Sequence, residues 1–319
     1  MQNGGGLEEI PTLLFNRLLM TQREVNVVSD SNVYSVSEYV DLIKKTTQEM
    51  NPHMWLYRGH QGIYELRPSI YRGPIGEREY DLYHGMIARC SNYFKGMTPL
   101  DKLVMMQHYG LKTRLLDLTT SSLTALYFAC EDYGEEGPEQ GEVFVFKTDY
   151  NEIVYAESDR ALMLSCIPML RTEEREELYQ EANKYKKHSG ANKKYAFPKK
   201  PNHYYQNEIV EKFFKIIKSE KFSFDRNINP NDLISSFYVQ PNKINNRIMR
   251  QDGAFIICGL YSDSQEVSKD LEKKVYKKIR INNKKEILNE LNSMGINQAT
   301  MFPEMEAVAL YLQREDLYY

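Results

Sequence analysis

The chain has little of several things, and each scarcity removes a class of function. Its 319 residues include four cysteines, Cys90, Cys130, Cys166 and Cys258, set far apart with no Cys-x-x-Cys spacing. Neither a structural zinc site nor a disulfide framework is expected from them. No further His, Cys or carboxylate falls at metal-ligand spacing, so no metal is expected. A phosphate-cradling loop is lacking as well, because Gly4-Gly5-Gly6 is followed by no Lys-Ser/Thr. No apolar run approaches a membrane span, and the opening Met-Gln-Asn-Gly-Gly-Gly has no basic region followed by an apolar core. The expectation is a soluble, cytoplasmic protein without a membrane role. A net charge of −3 gives no global reason to bind nucleic acid.

What is present suits an ordinary globular chain. Hydrophobic residues make up 42%, and tyrosine is common, with 24 residues against one tryptophan. Residues 1–30 read as a peripheral segment with a short amphipathic piece (Leu13, Leu14, Phe15, Leu18, Leu19). Residues 31–319 then read as one α+β domain, with a lysine-rich helical insertion around 161–222. Ser35 to Met50 is expected to be helical, with Tyr39, Val40, Leu42 and Ile43 on its apolar face. His53 to His60 reads as a strand with Trp55, Tyr57 and Gly59 on one face and Leu56, Arg58 and His60 on the other. Further helices are expected over Glu77–Met97 and Thr98–Tyr109, and after Ser122, which is offered as an N-cap. Glu142–Phe146, Ala254–Leu260 and Lys274–Ile281 read as strands. A helix through Ile287 and Leu291 should end at Gly295, and Pro303 should open the last helix.

The densest stretch runs from Gln107 to Cys130, where His108, Tyr109, Arg114, Asp117, Thr119, Thr120 and Ser121 lie among apolar residues. Polar groups in a core-bound stretch must find partners or form a site. Arg58 is read either as a ligand-binding arginine, with Gly59 letting a ligand approach the backbone, or as the partner of a carboxylate such as Asp117. Arg114 and Asp117, three apart, read as a structural ion pair. His108 is either a core histidine or an acid/base group, and His60 shares a strand face with Arg58.

Tyr57-Arg58-Gly59, Gln107-His108-Tyr109-Gly110 and Thr113-Arg114-Leu115-Leu116-Asp117 with Thr119-Thr120-Ser121 resemble the FRG-domain family. So do Leu66-Arg67-Pro68-Ser69-Ile70, Asn246-Arg247-Ile248 with Gln251, Gly253 and Phe255, and Met301-Phe302-Pro303-Glu304. A fainter resemblance is to the ADP-ribosyltransferase superfamily, in which an Arg on an early strand supports NAD. There a Ser-Thr-Ser segment braces the site and a Glu on a later strand completes it.

That second resemblance implies a compact mixed β core surrounded by helices, with NAD as substrate. Tyr57, Arg58, Gly59, His60, Tyr109, Thr119, Thr120 and Ser121 would then hold the cofactor, with Tyr57, Tyr109 and Tyr127 as aromatic walls. Arg58, Gln251, Glu306 and His108 are the catalytic candidates. The chain departs from the pattern at the acid. Pro303 sets Glu304-Met305-Glu306 in the first turn of a helix, Gln251 is uncharged, and Asp117 is a third option.

The resemblance implies an intracellular toxin or antiphage-defence effector that modifies nucleic acid or protein, with an antitoxin or chaperone as a possible partner. Lys184–Lys200, with seven lysines and no acid among Tyr185, Tyr195 and Phe197, reads either as a nucleic-acid rest or as a solvated insertion. Two other readings stand beside the transferase: a non-catalytic nucleotide- or peptide-binding module, and a nucleic-acid-processing enzyme such as a nuclease.

Overall fold

The computed structural model describes residues 31–48, 53–131, 137–186, 202–225, 228–242 and 249–313. The amphipathic piece near the start, Asn246-Arg247-Ile248 and most of the lysine-rich stretch (187–200) lie outside those residues.

The frame is an eight-stranded mixed sheet. Its strands are β1 (Ser31–Val33), β2 (His53–His60), β3 (Leu115–Thr119), β4 (Gly141–Asp149), β5 (Val154–Tyr155), β6 (Ser236–Gln240), β7 (Gly253–Cys258) and β8 (Val275–Ile281). Their order across the sheet is β1-β8-β4-β2-β3-β7-β6-β5. The outer pairs β1–β8 and β5–β6 are parallel and the others antiparallel. The fold is thus α+β, as expected.

The sheet is nearly divided in the middle. β2 runs in register with β4 from His53 opposite Asp149 to His60 opposite Glu142. β3 follows β7 along its whole length. Between β2 and β3, however, only Tyr57 and Thr119 face each other in register. Beyond that pair the strands part, and the backbone itself leaves a notch.

Alternation along the strands assigns the cores. Tyr57, Val143, Val145 and Ile279 bury one face of the β2–β4–β8 half. They pack under helices α1 (Val36–Thr47), α4 (Ser122–Cys130) and α9 (Lys284–Ser293). On the same face of the β3–β7–β6 half, Leu115, Phe255, Ile257 and Val239 pack with α2 (Glu79–Arg89), α3 (Pro99–His108), α5 (Asp159–Ser165), α6 (Thr172–Lys186) and α7 (Glu208–Glu220). The opposite face is continuous. Leu56, Leu116, Leu118, Phe144 and Ile256 meet Val267 and Leu271 of α8 (Ser264–Glu272) there. Two helical packs therefore stand side by side over one face, and the notch opens between them.

Local chemistry accounts for the helix starts beside the notch. Thr98 caps α3 by accepting from the Asp101 amide at 3.2 Å, with Pro99 in the first turn. For α4 the cap is Ser121, not Ser122: the Ser121 hydroxyl accepts from the Thr124 amide at 3.2 Å. The expected cap was one residue late, because Ser122 already has helical geometry. The last helices, α10 (Gln298–Met301) and α11 (Met305–Leu312), follow α9. Glu304 sits at the cap position of α11, so Pro303 precedes that helix rather than lying within it.

No helix among the described residues is long and apolar enough to cross a membrane.

Candidate functional site

Arg58 stands at the edge of the notch, with its side chain 15% exposed. Its Nε donates to His60 Nε2 at 2.8 Å and its Nη1 donates to the Asp117 carbonyl at 2.7 Å across the gap. The Asp117 carboxylate lies 3.7 Å from Nη1. Burial lowers the Arg58 pKa, Asp117 opposes that and Arg72 adds to it, leaving a value of about 10. The guanidinium is charged at neutral pH.

A relay of hydrogen bonds fixes Asp117. The Thr113 hydroxyl donates to Gln107 Oε1, and Gln107 Nε2 donates to Asp117 Oδ1 at 2.6 Å. Arg114 does not pair with Asp117. Residues three apart around a strand point to opposite sides, and Arg114 turns into the interior. There Nε and Nη2 bind Glu79 at 3.0 and 2.5 Å, and Nη1 binds the carbonyls of Cys258 and Gly259 at 2.9 Å each.

The Thr-Thr-Ser segment ties the two strands and α4 together. Thr119 Oγ1 donates to the Gln251 carbonyl at 2.6 Å and accepts from the Ser121 amide at 3.0 Å. The Thr120 amide donates to the Asp252 carbonyl at 3.1 Å. Asp252, at φ 46, makes the left-handed turn that sets Gln251 beside Thr119. The Gln251 side-chain amide then donates to the Met301 carbonyl at 3.0 Å.

Together these residues surround a cleft of about 300 Å³. Its polar lining is Arg58, Gln61, Arg72, Gln107, His108, Asp117, Thr119, Glu131 and Gln251. The aromatic lining is Tyr57, Tyr64, Phe128 and Phe255. The structure therefore gathers Tyr57, Arg58, Gly59, His108, Thr119 and Gln251 in one place, from strands and helices distant in sequence. Asp117 and Glu131 are the carboxylates of the described lining.

Other candidates lie apart from it. Tyr109 is 63% exposed and stacks edge-on to His108, away from the lining. Thr120 is exposed, Ser121 is occupied as the cap of α4, and Glu306 is exposed on α11. Glu304 instead approaches His108, at 3.7 Å from Nε2. Tyr127 is buried in the core, and the next residue around the helix, Phe128, forms the wall. Gly59 lines the cleft, but its missing side chain serves α4: a Cβ there would lie 2.1 Å from the Ala125 carbonyl oxygen.

His60 lies beneath Arg58, 5% exposed and edge-on to Phe144. Because arginine only donates, Nε2 must be an acceptor and the proton must sit on Nδ1. Nδ1 has no partner of normal geometry, with only the Tyr64 backbone near it. Burial first, then the Arg58 and Arg72 charges, push the His60 pKa down to about 2. The unfolded chain takes up this proton below pH ~6.5 while the folded chain refuses it, so the contribution is complete above that pH and shrinks as pH falls. Between pH 7 and pH 5 this group removes about 2 kcal/mol of stability. Urea unfolding at the two pH values checks it: His60→Gln should flatten the decline, and an unchanged decline would contradict the assignment.

Arg72, Tyr64, Gln61 and Phe128 line the cleft without having been singled out in the sequence. Arg72 and Tyr64 come from the irregular loop after β2, where no periodicity marks a residue as facing inward.

The match to known proteins falls on this ground. Residues 53–137 match the FRG domain. The chain carries an FRG domain. It runs from β2 through α4 and holds Arg58, Arg72, Gln107, His108, Asp117 and Thr119. The match does not extend to Gln251 or Phe255, which line the cleft from outside the matched residues. No curated protein and no solved structure matches the chain.

Proposed function

We propose that this cleft binds NAD and breaks its nicotinamide–ribose bond, passing the ADP-ribosyl group to a macromolecule. The supporting observation is that Arg58 on β2, Thr119 on β3 and Gln251 before β7 meet on neighbouring strands around one cleft. This is the order of roles that the resemblance to ADP-ribosyltransferases implies: anchoring arginine, bracing threonine, and a polar residue at the start of a later strand.

Each group has a task. Arg58 presents a charged guanidinium whose geometry suits phosphate oxygens. Tyr64 and Phe128, the less buried aromatic residues of the lining, offer faces on which a nicotinamide or adenine can stack. When the C1′–N bond breaks, its electron pair goes to the nicotinamide nitrogen and positive charge develops on the ribose, as in glycoside hydrolysis. Gln251 can hydrogen-bond the ribose but brings no charge, so Asp117 supplies the negative charge facing that carbon. The acceptor's nucleophile then bonds to C1′ and gives up its proton.

The test uses the full chain with labelled NAD and a lysate containing both protein and RNA. Nicotinamide should be released and the label should move to one class of acceptor. Arg58→Ala should reduce the rate about 100-fold, the scale of one lost charge-assisted phosphate contact. Full turnover by Arg58→Ala would refute the reading. The amide at Gln251, where the resemblance calls for a carboxylate, favours a second reading: a nucleotide-binding module without catalysis. Saturable NAD binding with no product from any acceptor would select it.

A further inference from the structure

The loop after β2 is anchored more firmly than a connecting loop needs to be. Leu66 and Ile70 are buried, the Ile70 amide donates to the Thr113 carbonyl at 3.2 Å, and the Tyr71 hydroxyl donates to the Gly259 carbonyl at 2.9 Å. Arg72 comes directly after this anchor, its own amide donating to the Ser69 carbonyl at 3.2 Å. Gly73 then turns the chain away at φ 72. The Cα of Arg72 is therefore held in place while its side chain reaches the cleft that Arg58 also lines.

Two arginines in one cleft repel each other, and little in the protein relieves them. The Arg72 charge lowers the preference of Arg58 for its charged form, and Arg67, after burial, does the same to Arg72. Asp117 is within electrostatic reach of both, so a single carboxylate is shared between two guanidinium groups. Among the described residues Arg72 makes one side-chain hydrogen bond, a long one of 3.3 Å to the Arg67 carbonyl. Arg58 uses Nε and Nη1 on His60 and Asp117, and its Nη2 has no hydrogen bond among the described residues. Unspent donors on two cations that line one cleft, one on a strand and one on an anchored loop, favour an anion with two separately charged groups.

We propose that Arg72 and Arg58 form a two-armed seat for a diphosphate, with Arg72 deciding between diphosphate and monophosphate ligands. A single phosphate can satisfy Arg58 alone. A phosphoanhydride spans both arms and relieves the repulsion between them. The inference rests on the reading of the cleft as a nucleotide site, but requires no turnover.

Calorimetric titration of the full chain with inorganic pyrophosphate and with orthophosphate tests it. The wild type should bind pyrophosphate at least about ten-fold more tightly, the scale of one added charge-assisted contact. Arg72→Ala should erase that preference by weakening pyrophosphate about ten-fold or more, with orthophosphate changed little. Arg67→Ala, outside the lining, should keep the preference. Arg72 is exposed, and an unchanged melting curve for its variant would exclude misfolding as the cause. Equal affinity of the wild type for both anions, or an Arg72→Ala protein that still prefers pyrophosphate, would overturn the proposal. If NAD is never cleaved but the preference depends on Arg72, the catalytic reading fails and the diphosphate seat stands.

Discussion

Gly59→Ala is expected to destabilise the protein by about 3 kcal/mol or more, at the top of the range for overpacking. The reason is steric and not conformational. The added Cβ would lie 2.1 Å from the Ala125 carbonyl oxygen and 2.6 Å from the Ala129 amide nitrogen, both in the backbone of α4. No side chain can rotate away to make room. Gly141, beside it on β4, meets the same helix, with its Cβ position 2.0 Å from the Ala129 carbonyl oxygen. Two glycines on neighbouring strands and two alanines on the helix thus let α4 lie unusually close to the sheet. Pushing α4 outward also moves Phe128 and the Ser121 cap, so ligand binding should fall along with stability. Urea unfolding measures the first effect. A loss below about 0.5 kcal/mol, typical of an unconstrained surface change, would mean that α4 does not rest on this glycine.

The second large effect is expected at Glu79. Arg114 is 1% exposed and its charge is matched by Glu79, with Arg175 approaching the same carboxylate at 3.7 Å. Glu79→Ala leaves two cations near a dry interior without their partner and should cost about 3–5 kcal/mol. The damage should reach the cleft, because Arg114 ties the entry of β3 to the carbonyls at the end of β7. Replacing Glu79 and Arg114 at once, Glu79→Leu with Arg114→Met, should recover a good part of the loss, since the most buried charge leaves with its carboxylate and Arg175 keeps its hydrogen bonds to the Leu170 and Gly76 carbonyls. Equal instability of the single and double variants would show that the hydrogen bonds to Cys258 and Gly259, not the ion pair, dominate.

The same pair shows where sequence reading succeeds and where it stops. β2, β4 and β7 are legible as short apolar-rich runs and β8 by its apolar residues Val275, Ile279 and Ile281 at even spacing among charged ones, and period two places Arg58 and His60 together correctly. β3 was not legible. Leu115–Thr119 is short and contains Asp117, and its partners lie far away in sequence on β2 and β7. On a helix the spacing of Arg114 and Asp117 would make them neighbours. As a strand, the segment sends one inward to Glu79 and the other to the cleft. The short strands β1, β5 and β6 gave too few residues for a pattern.

The site was legible in part for a related reason. Arg58, His108, Thr119 and Gln251 stand beside regular elements whose ends can be read. Arg72 sits on a loop whose path is set by Leu66, Ile70 and Tyr71 contacting distant residues, so its approach to the cleft is a tertiary fact. Phe128 rather than Tyr127 forms the wall because one step around α4 separates core from cleft, and the sequence offered two aromatics for one place. The Glu-x-Glu pattern offers Glu306 as an acid, yet Glu306 is exposed on α11 and Glu304, just before that helix, is the residue that nears His108.

In the proposed reaction Arg58 anchors NAD within this cleft. Nicotinamide release by the purified full chain, compared with its Arg58→Ala variant at equal folded concentration, tests it most directly. The wild type should release nicotinamide and the variant should do so about 100-fold more slowly. Equal release by both proteins would contradict it.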